Sequence, residues 1–197
     1  MLPPLSAAEA EHSATLRQQI TQCIDAAGGF IDFATFMDLA LYAPGLGYYS
    51  AGSTKLGAAG DFTTAPEVST LFARCVARQC AQVLRAIPGG SILELGAGTG
   101  SMASTLLEEL AVLQALPRHY YILEVSADLA QRQRARLASL PAALHSRVHW
   151  LQQLPATPLP GVILANEVLD ALPCRRFVVD EDLILELGVS HTAGALR

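Results

Sequence analysis

The chain has little that would commit it to a metal, a membrane or a nucleic acid. Its 197 residues include four cysteines, at 23, 75, 80 and 174, with neither CxxC nor zinc-finger spacing, so they read as reduced structural thiols and not as a ligand or redox set. Basic residues are in the minority: 13 Lys and Arg stand against 18 Asp and Glu, a net charge of -5. With a pI near 5.5, broad adhesion to phosphate backbones or to anionic lipid is disfavoured. No 18-residue run escapes charge, since even the apolar stretch 27–43 carries Asp32 and Asp38, and no membrane span is expected. The opening MLPPLSAAEAEH lacks the basic-then-apolar order of a targeting segment and carries Glu9 and Glu11, which makes a cytoplasmic location the expectation. What is abundant is apolar surface. At 51% hydrophobic residues and mean hydropathy +0.34, the chain can build a substantial core in one domain, with room for an extra subdomain.

Periodicity divides the chain into helical and α/β parts. Ser6 with Glu9 forms a capping box ahead of Leu16, Ile20, Cys23 and Ile24 on one face, so a first helix should run to Gly28-Gly29. Asp32 can cap a second helix that ends before Pro44. Residues 46–60 read as a surface loop. Thr64-Ala65-Pro66-Glu67 is a second capping box, opening one helix through Val83. From residue 91 strand and helix alternate: strands at about 91–95, 120–124, 148–151 and from Gly161, with helices that present Met102 to Leu113 and, after Ser126, Leu129 to Leu140. That is the pattern of a parallel sheet with crossover helices. RRFVV and LILEL around Asp180-Glu181-Asp182 read as a hairpin. Three regions follow: residues 1–87 as an N-terminal helical subdomain, 88–175 as an α/β half, and 176–197 as the hairpin start of a further part.

The stretch SILELGAGTG, residues 91–100, carries the most chemistry. Gly96, Gly98 and Gly100 leave backbone uncovered at a strand-to-helix turn, where a ligand can approach the main chain and a helix N-terminus. Glu124 ends the next strand, where an acid in doubly wound folds takes ribose hydroxyls. A dinucleotide fingerprint would need its third glycine at 101, which is Ser101, so a nicotinamide site is disfavoured. Ligands in such sheets bind beyond the strand carboxyl ends, and Glu94, Glu124, Asn166 and Glu167 converge there by topology.

The pattern E-x-G-x-G-x-G from Glu94 looks like motif I of the Rossmann-like S-adenosylmethionine (SAM) methyltransferases. Together with FMDLALYAPGLGYYS (36–50), GDFTTAPEVSTLF (60–72), ILEVSADLAQRQRARL (122–137) and ANEVLDALPCRRF (165–177), it resembles the MidA-type SAM-dependent methyltransferases, which include a mitochondrial complex I assembly factor that methylates an arginine. The glycine motif is common, whereas the GDF-T-x-PE and NE-x-x-DALP blocks in this order are selective. The departures are Ala97 where proline is frequent and Ala73 where glycine is usual. The resemblance implies an α/β Rossmann-like class I methyltransferase sheet, here its first four strands, preceded by a helical subdomain. It implies SAM as cofactor, held by Glu94, Gly96, Gly98, Gly100, Glu124 and Asn166. It also implies a protein substrate, with a respiratory complex subunit as the candidate, and no nucleic acid.

Methyl transfer from a sulfonium is an in-line displacement, so the protein's task is positioning. Glu167 and Asp170 are the catalytic candidates, since paired carboxylates suit a guanidinium that must be oriented while cationic. The alternative is that Asp170 caps the turn before Leu172-Pro173 while Glu167 faces water. Asp61 and Thr63 either close the cofactor pocket or form a polar turn before the Thr64 helix. Tyr48 and Tyr49 line a channel or pack the loop, and His149 and Trp150 read as strand and core residues. A complete sheet of this kind has about three further strands, so the chain is expected to be a C-terminally truncated copy or fragment, with its own activity in doubt. A non-catalytic SAM-binding assembly factor is the competing reading.

Overall fold

The computed structural model describes residues 6–51, 64–192 and 194–197. Its contacts form two compact units, Met1–Ser53 with Asp170–Arg197, and Thr54–Leu169.

The first unit opens with α1, Ala7–Ala26, started by the expected capping box: the Ser6 hydroxyl accepts from the Glu9 amide while the Glu9 carboxylate accepts from the Ser6 amide. After Gly28 and Gly29 comes β1, Phe30–Asp32, and Asp32 caps α2, Phe33–Tyr42, by accepting from the Thr35 amide at 2.6 Å. The hairpin is present as β6, Arg176–Asp180, and β7, Leu183–Thr192. β7 then runs on to pair antiparallel with β1, Phe30 opposite Ser190, and β8, Ala195–Leu196, folds back onto it. Ile20, Ile24, Ile31 and Val189 make the small core. β1 is invisible in sequence, because three residues show no alternation and the partner strand lies some 160 residues away. Its pairing joins the N-terminal helices to the tail. The contacts thus group the two ends of the chain, where the sequence suggested divisions at 87 and 175.

The second unit is a parallel α/β layer structure. In place of the single helix expected from Thr64 there are two, α3, Ala65–Val68, and α4, Thr70–Ala86. Ser69 between them is extended and its hydroxyl accepts from the Leu71 amide at 3.1 Å, whereas Thr64 makes no side-chain cap. A serine that bonds its own neighbouring amides competes with the helix, which is why the break falls there. Then follow β2, Ser91–Leu95; α5, Ser101–Val112; β3, Tyr120–Leu123; α6, Ala127–Leu137; α7, Ala142–His145; β4, Val148–Leu151; and β5, Gly161–Leu164. The strands form a parallel sheet in the order β4-β3-β2-β5. Ile92 lies beside Tyr120 and Val162, and Glu94 beside Ile122 and Leu164. This face carries the main core against α4 and α5, with Leu106, Leu107 and Leu110 fully buried. A 3-10 turn, Leu169–Ala171, comes after β5.

The β1–β7 pairing generates a stability test. A Cβ on Gly188 would lie 2.2 Å from the Ile31 carbonyl oxygen and 2.4 Å from the Phe30 ring. Gly188→Ala is therefore expected to destabilise the chain by about 1–3 kcal/mol, the range for forced overpacking. Urea unfolding measures it, and an unchanged midpoint would contradict the close approach.

Candidate functional site

The carboxyl ends of β2, β3 and β5 lie side by side, since all three are parallel and adjacent. β2 leaves the sheet through Gly96, Gly98 and Gly100, at φ of 61°, 55° and 81°. These left-handed values are costly for residues with a Cβ. Gly100 is the N-cap of α5 and supplies no side-chain cap, so the first-turn amides of that helix keep their donors for an anion. The Gly96 amide donates across to Leu123 O of β3 at 3.1 Å, and within the turn the Gly100 amide donates to Ala97 O at 2.8 Å. Those two amides hold the turn together and are not available to a ligand, a narrowing of the expectation that the whole turn would offer donors. The Gly98 amide has no acceptor among the described residues.

Glu124 stands just beyond β3, half-buried. Its Oε1 accepts from the Ser126 amide at 2.9 Å and its Oε2 from Gln133 Nε2 at 2.8 Å. Each oxygen keeps lone-pair capacity toward the opening, as a ribose diol would require. Val125 beside it is 80% exposed, an apolar side chain left open at the same edge. Gln133 also donates to Gly98 O at 2.9 Å and accepts from Trp150 Nε1 at 3.0 Å. On the other flank α3 is fastened to the turn: Thr99 Oγ1 donates to the Glu67 carboxylate, and Ser101 Oγ donates to Pro66 O at 3.2 Å.

Glu94 departs from its expected place. It is 1% exposed, on the helix-covered face, and accepts from the Tyr120 hydroxyl at 2.8 Å. β2 is covered on both faces, so the Glu94 carboxyl is enclosed in the core and not open at the strand end. Burial pushes its carboxyl up to about 7; the Tyr120 hydrogen bond lowers it in part, and the charge of Glu124 raises it. Burial and the neighbouring Glu94 likewise push the Tyr120 phenol well above its usual range.

Asn166, half-buried, and Glu167, exposed, follow β5. Glu167 has φ of 51°, a strained value for a residue with a side chain. Asp170 is exposed on the 3-10 turn, three residues after Glu167. Asp61 and Thr63 lie outside the described residues. Tyr49 stacks on Tyr42, with centroids 5.7 Å apart, and meets Tyr48 edge-on at 5.0 Å, which favours loop packing. His149 is exposed, its Nε2 3.1 Å from His119 Nδ1, so it is no core residue. Gln133, Trp150 and Glu67 were not recognised in sequence as site residues. For Gln133 the signal was present, since Ala130, Gln133 and Leu137 share a helical face and all are buried. A depression of about 320 Å³ lined by Leu93, Pro155, Val162 and Ile163 shares no residue with this edge.

Comparison with known proteins agrees with this geometry. Residues 75–196 match a family described as "Putative S-adenosyl-L-methionine-dependent methyltransferase", and the chain belongs to that family. It is 31% identical over 174 residues, 77% of the chain and 41% of the relative, to the zebrafish (Danio rerio) mitochondrial protein arginine methyltransferase NDUFAF7. It is 29% identical over 213 residues, 95% of the chain and 48% of the relative, to the Drosophila melanogaster homolog. A Burkholderia thailandensis protein solved with S-adenosyl-homocysteine bound is 41% identical and superposes with TM-score 0.88, covering 100% of this chain and 52% of that one. The chain thus spans about half the length of the relatives it matches. No helix of the described residues is long and apolar enough to cross a membrane.

The buried carboxyl sets a pH dependence. With its folded value near 7 against 4.5 for the free group, Glu94 holds a proton that the unfolded chain releases. Stability should fall as pH rises from about 4.5 to about 7, by up to about 3 kcal/mol, and level off above. Glu94→Gln is expected to flatten that slope in urea unfolding between about pH 5 and about pH 8. An unaltered slope would place the titration elsewhere.

Proposed function

We propose that the protein is a SAM-dependent methyltransferase that modifies an arginine of a protein substrate. The observation that supports it most is the pairing, on adjacent parallel strand ends, of a left-handed glycine turn with the Glu124 carboxylate, each buttressed by Gln133. The residues fit the cofactor. The Gly98 amide and the first turn of α5 suit the carboxylate of its amino-acid end, Glu124 suits the ribose hydroxyls, and Val125 offers apolar contact to a flat ring. Asn166 lies at the same edge, and Asp61 and Thr63 keep their proposed role in closing the pocket. Glu94 acts from beneath, as a buried support under the turn.

Bound SAM supplies an electrophilic methyl on a sulfonium. The chain's part is to orient the acceptor. Glu167 and Asp170 are the carboxylates assigned to the guanidinium, which stays protonated at neutral pH and needs charge-matched, directional acceptors. Arginine as target is carried over from the relatives named protein arginine methyltransferases. The competing reading is a SAM-binding assembly factor in which methyl transfer plays no part, and both carboxylates would then be dispensable.

Two measurements follow. Glu124→Ala removes two charge-assisted hydrogen bonds and is expected to weaken SAM binding by about 2–4 kcal/mol; calorimetry showing a loss under about threefold would move the ribose acid elsewhere. Glu167→Gln and Asp170→Asn should leave SAM affinity nearly unchanged and lower labelled-methyl transfer into arginine-containing proteins by about a hundredfold, the scale of one positioned electrostatic contact. Mass spectrometry of the labelled residue checks the target. Label on lysine or on a small molecule would sink the arginine assignment, and full transfer by the double variant would show that these carboxylates are structural.

A further inference from the structure

We propose that Gln133 is a positioning residue of this site, one side-chain amide that sets both the glycine turn and the ribose acid; the inference rests on reading the site as one for SAM. Gln133 is fully buried on α6. Its Nε2 donates to Gly98 O at 2.9 Å and to Glu124 Oε2 at 2.8 Å, and its Oε1 accepts from Trp150 Nε1 at 3.0 Å. A primary amide has two N–H groups and one carbonyl. Reversing it would set the carbonyl against two acceptors and the NH2 group against an indole N–H. One orientation satisfies all three partners, and Trp150 selects it. Trp150 is in turn held on β4 with the Arg134 guanidinium 4.9 Å over its ring.

Both acceptors of that amide belong to the cofactor edge. The Gly98 carbonyl sits in a left-handed turn whose peptides, lacking side chains, have little else to fix their rotation. The Glu124 carboxylate is clamped by two donors, Gln133 on one oxygen and the Ser126 amide on the other, so its plane is set before a ligand arrives. α6 packs directly against the turn: a Cβ added to Gly100 would stand in van der Waals contact, 3.4 Å from Gln133 Cα. A buried glutamine with a purely structural role would affect stability when replaced. Gln133 should instead affect ligand affinity, most of it through Glu124 and the small remainder through the Gly98 carbonyl.

The test uses the whole chain and S-adenosylhomocysteine as probe. The chain has a single tryptophan, so its indole N–H gives one unambiguous NMR signal. That proton should exchange slowly in the ligand-free protein and lose its protection in Gln133→Leu. By calorimetry Gln133→Leu should weaken S-adenosylhomocysteine binding by at least about thirtyfold, yet by no more than about threefold when added to Glu124→Ala, because interacting sites are non-additive. Trp150→Phe, at a half-buried position, keeps the ring and removes only the N–H; it should cost about three- to tenfold in affinity with an unchanged melting temperature. It decides the matter if Gln133→Leu does not fold. Additive losses, or affinities within about threefold of wild type for both Gln133→Leu and Trp150→Phe, overturn the role of Gln133 alone. A wild-type chain that binds no S-adenosylhomocysteine overturns the site reading with it.

Discussion

The α/β unit depends on a constraint at one point: β2 must turn into α5 within five residues while α6 passes directly behind. Only a backbone at positive φ makes that turn, and Gly96, Gly98 and Gly100 all adopt it. Side chains there would be strained, and one at Gly96 would press on Val168 at 3.2 Å. Because the turn is tight, α5 returns at once over β2 and buries Met102, Leu106, Leu107 and Leu110 in the main core. The same economy leaves the start of α5 without a side-chain cap. Its amides are therefore offered outward, and the fold and the ligand site share one cause.

Around the turn the polar groups are few, buried or half-buried, and nearly all matched. Glu94 with Tyr120 lies beneath it, Gln133 with Trp150 behind it, and Glu67 with Thr99 on its flank. In a low-dielectric setting each such contact is directional and costly to leave unmade. That cost argues for a rigid frame in which the Glu124 carboxylate and the Gly98 carbonyl hold fixed places. The raised carboxyl of Glu94 fits this frame, since burial and the nearby charge of Glu124 both disfavour a second negative charge under the turn.

Local signals were legible in the sequence and distant ones were not. The Ser6 box, the Asp32 cap, the Ser126 cap and all four parallel strands could be read because each is written within a few neighbouring residues. β1 could not, since its meaning comes from β7 far along the chain. The break at Ser69 was hidden by an apolar pattern that continues across it. At the site, the glycine turn and the place of Glu124 at the end of β3 were legible from position, but the burial of Glu94 was not, because the motif does not say how deeply its side chain is covered. Gln133 is masked in sequence by the arginines around it on α6, although its spacing from Ala130 and Leu137 places it on the buried face. A polar residue at a core position is a request for partners, and these partners proved to be the site itself.

The account stands on the claim that this edge binds the nucleoside and amino-acid ends of a SAM-type ligand. Isothermal calorimetry of the chain with S-adenosylhomocysteine and, in parallel, with NAD tests it most directly. The account predicts saturable one-to-one binding of S-adenosylhomocysteine and no binding of NAD. Preference for NAD, or no binding of S-adenosylhomocysteine by the folded chain, would contradict it.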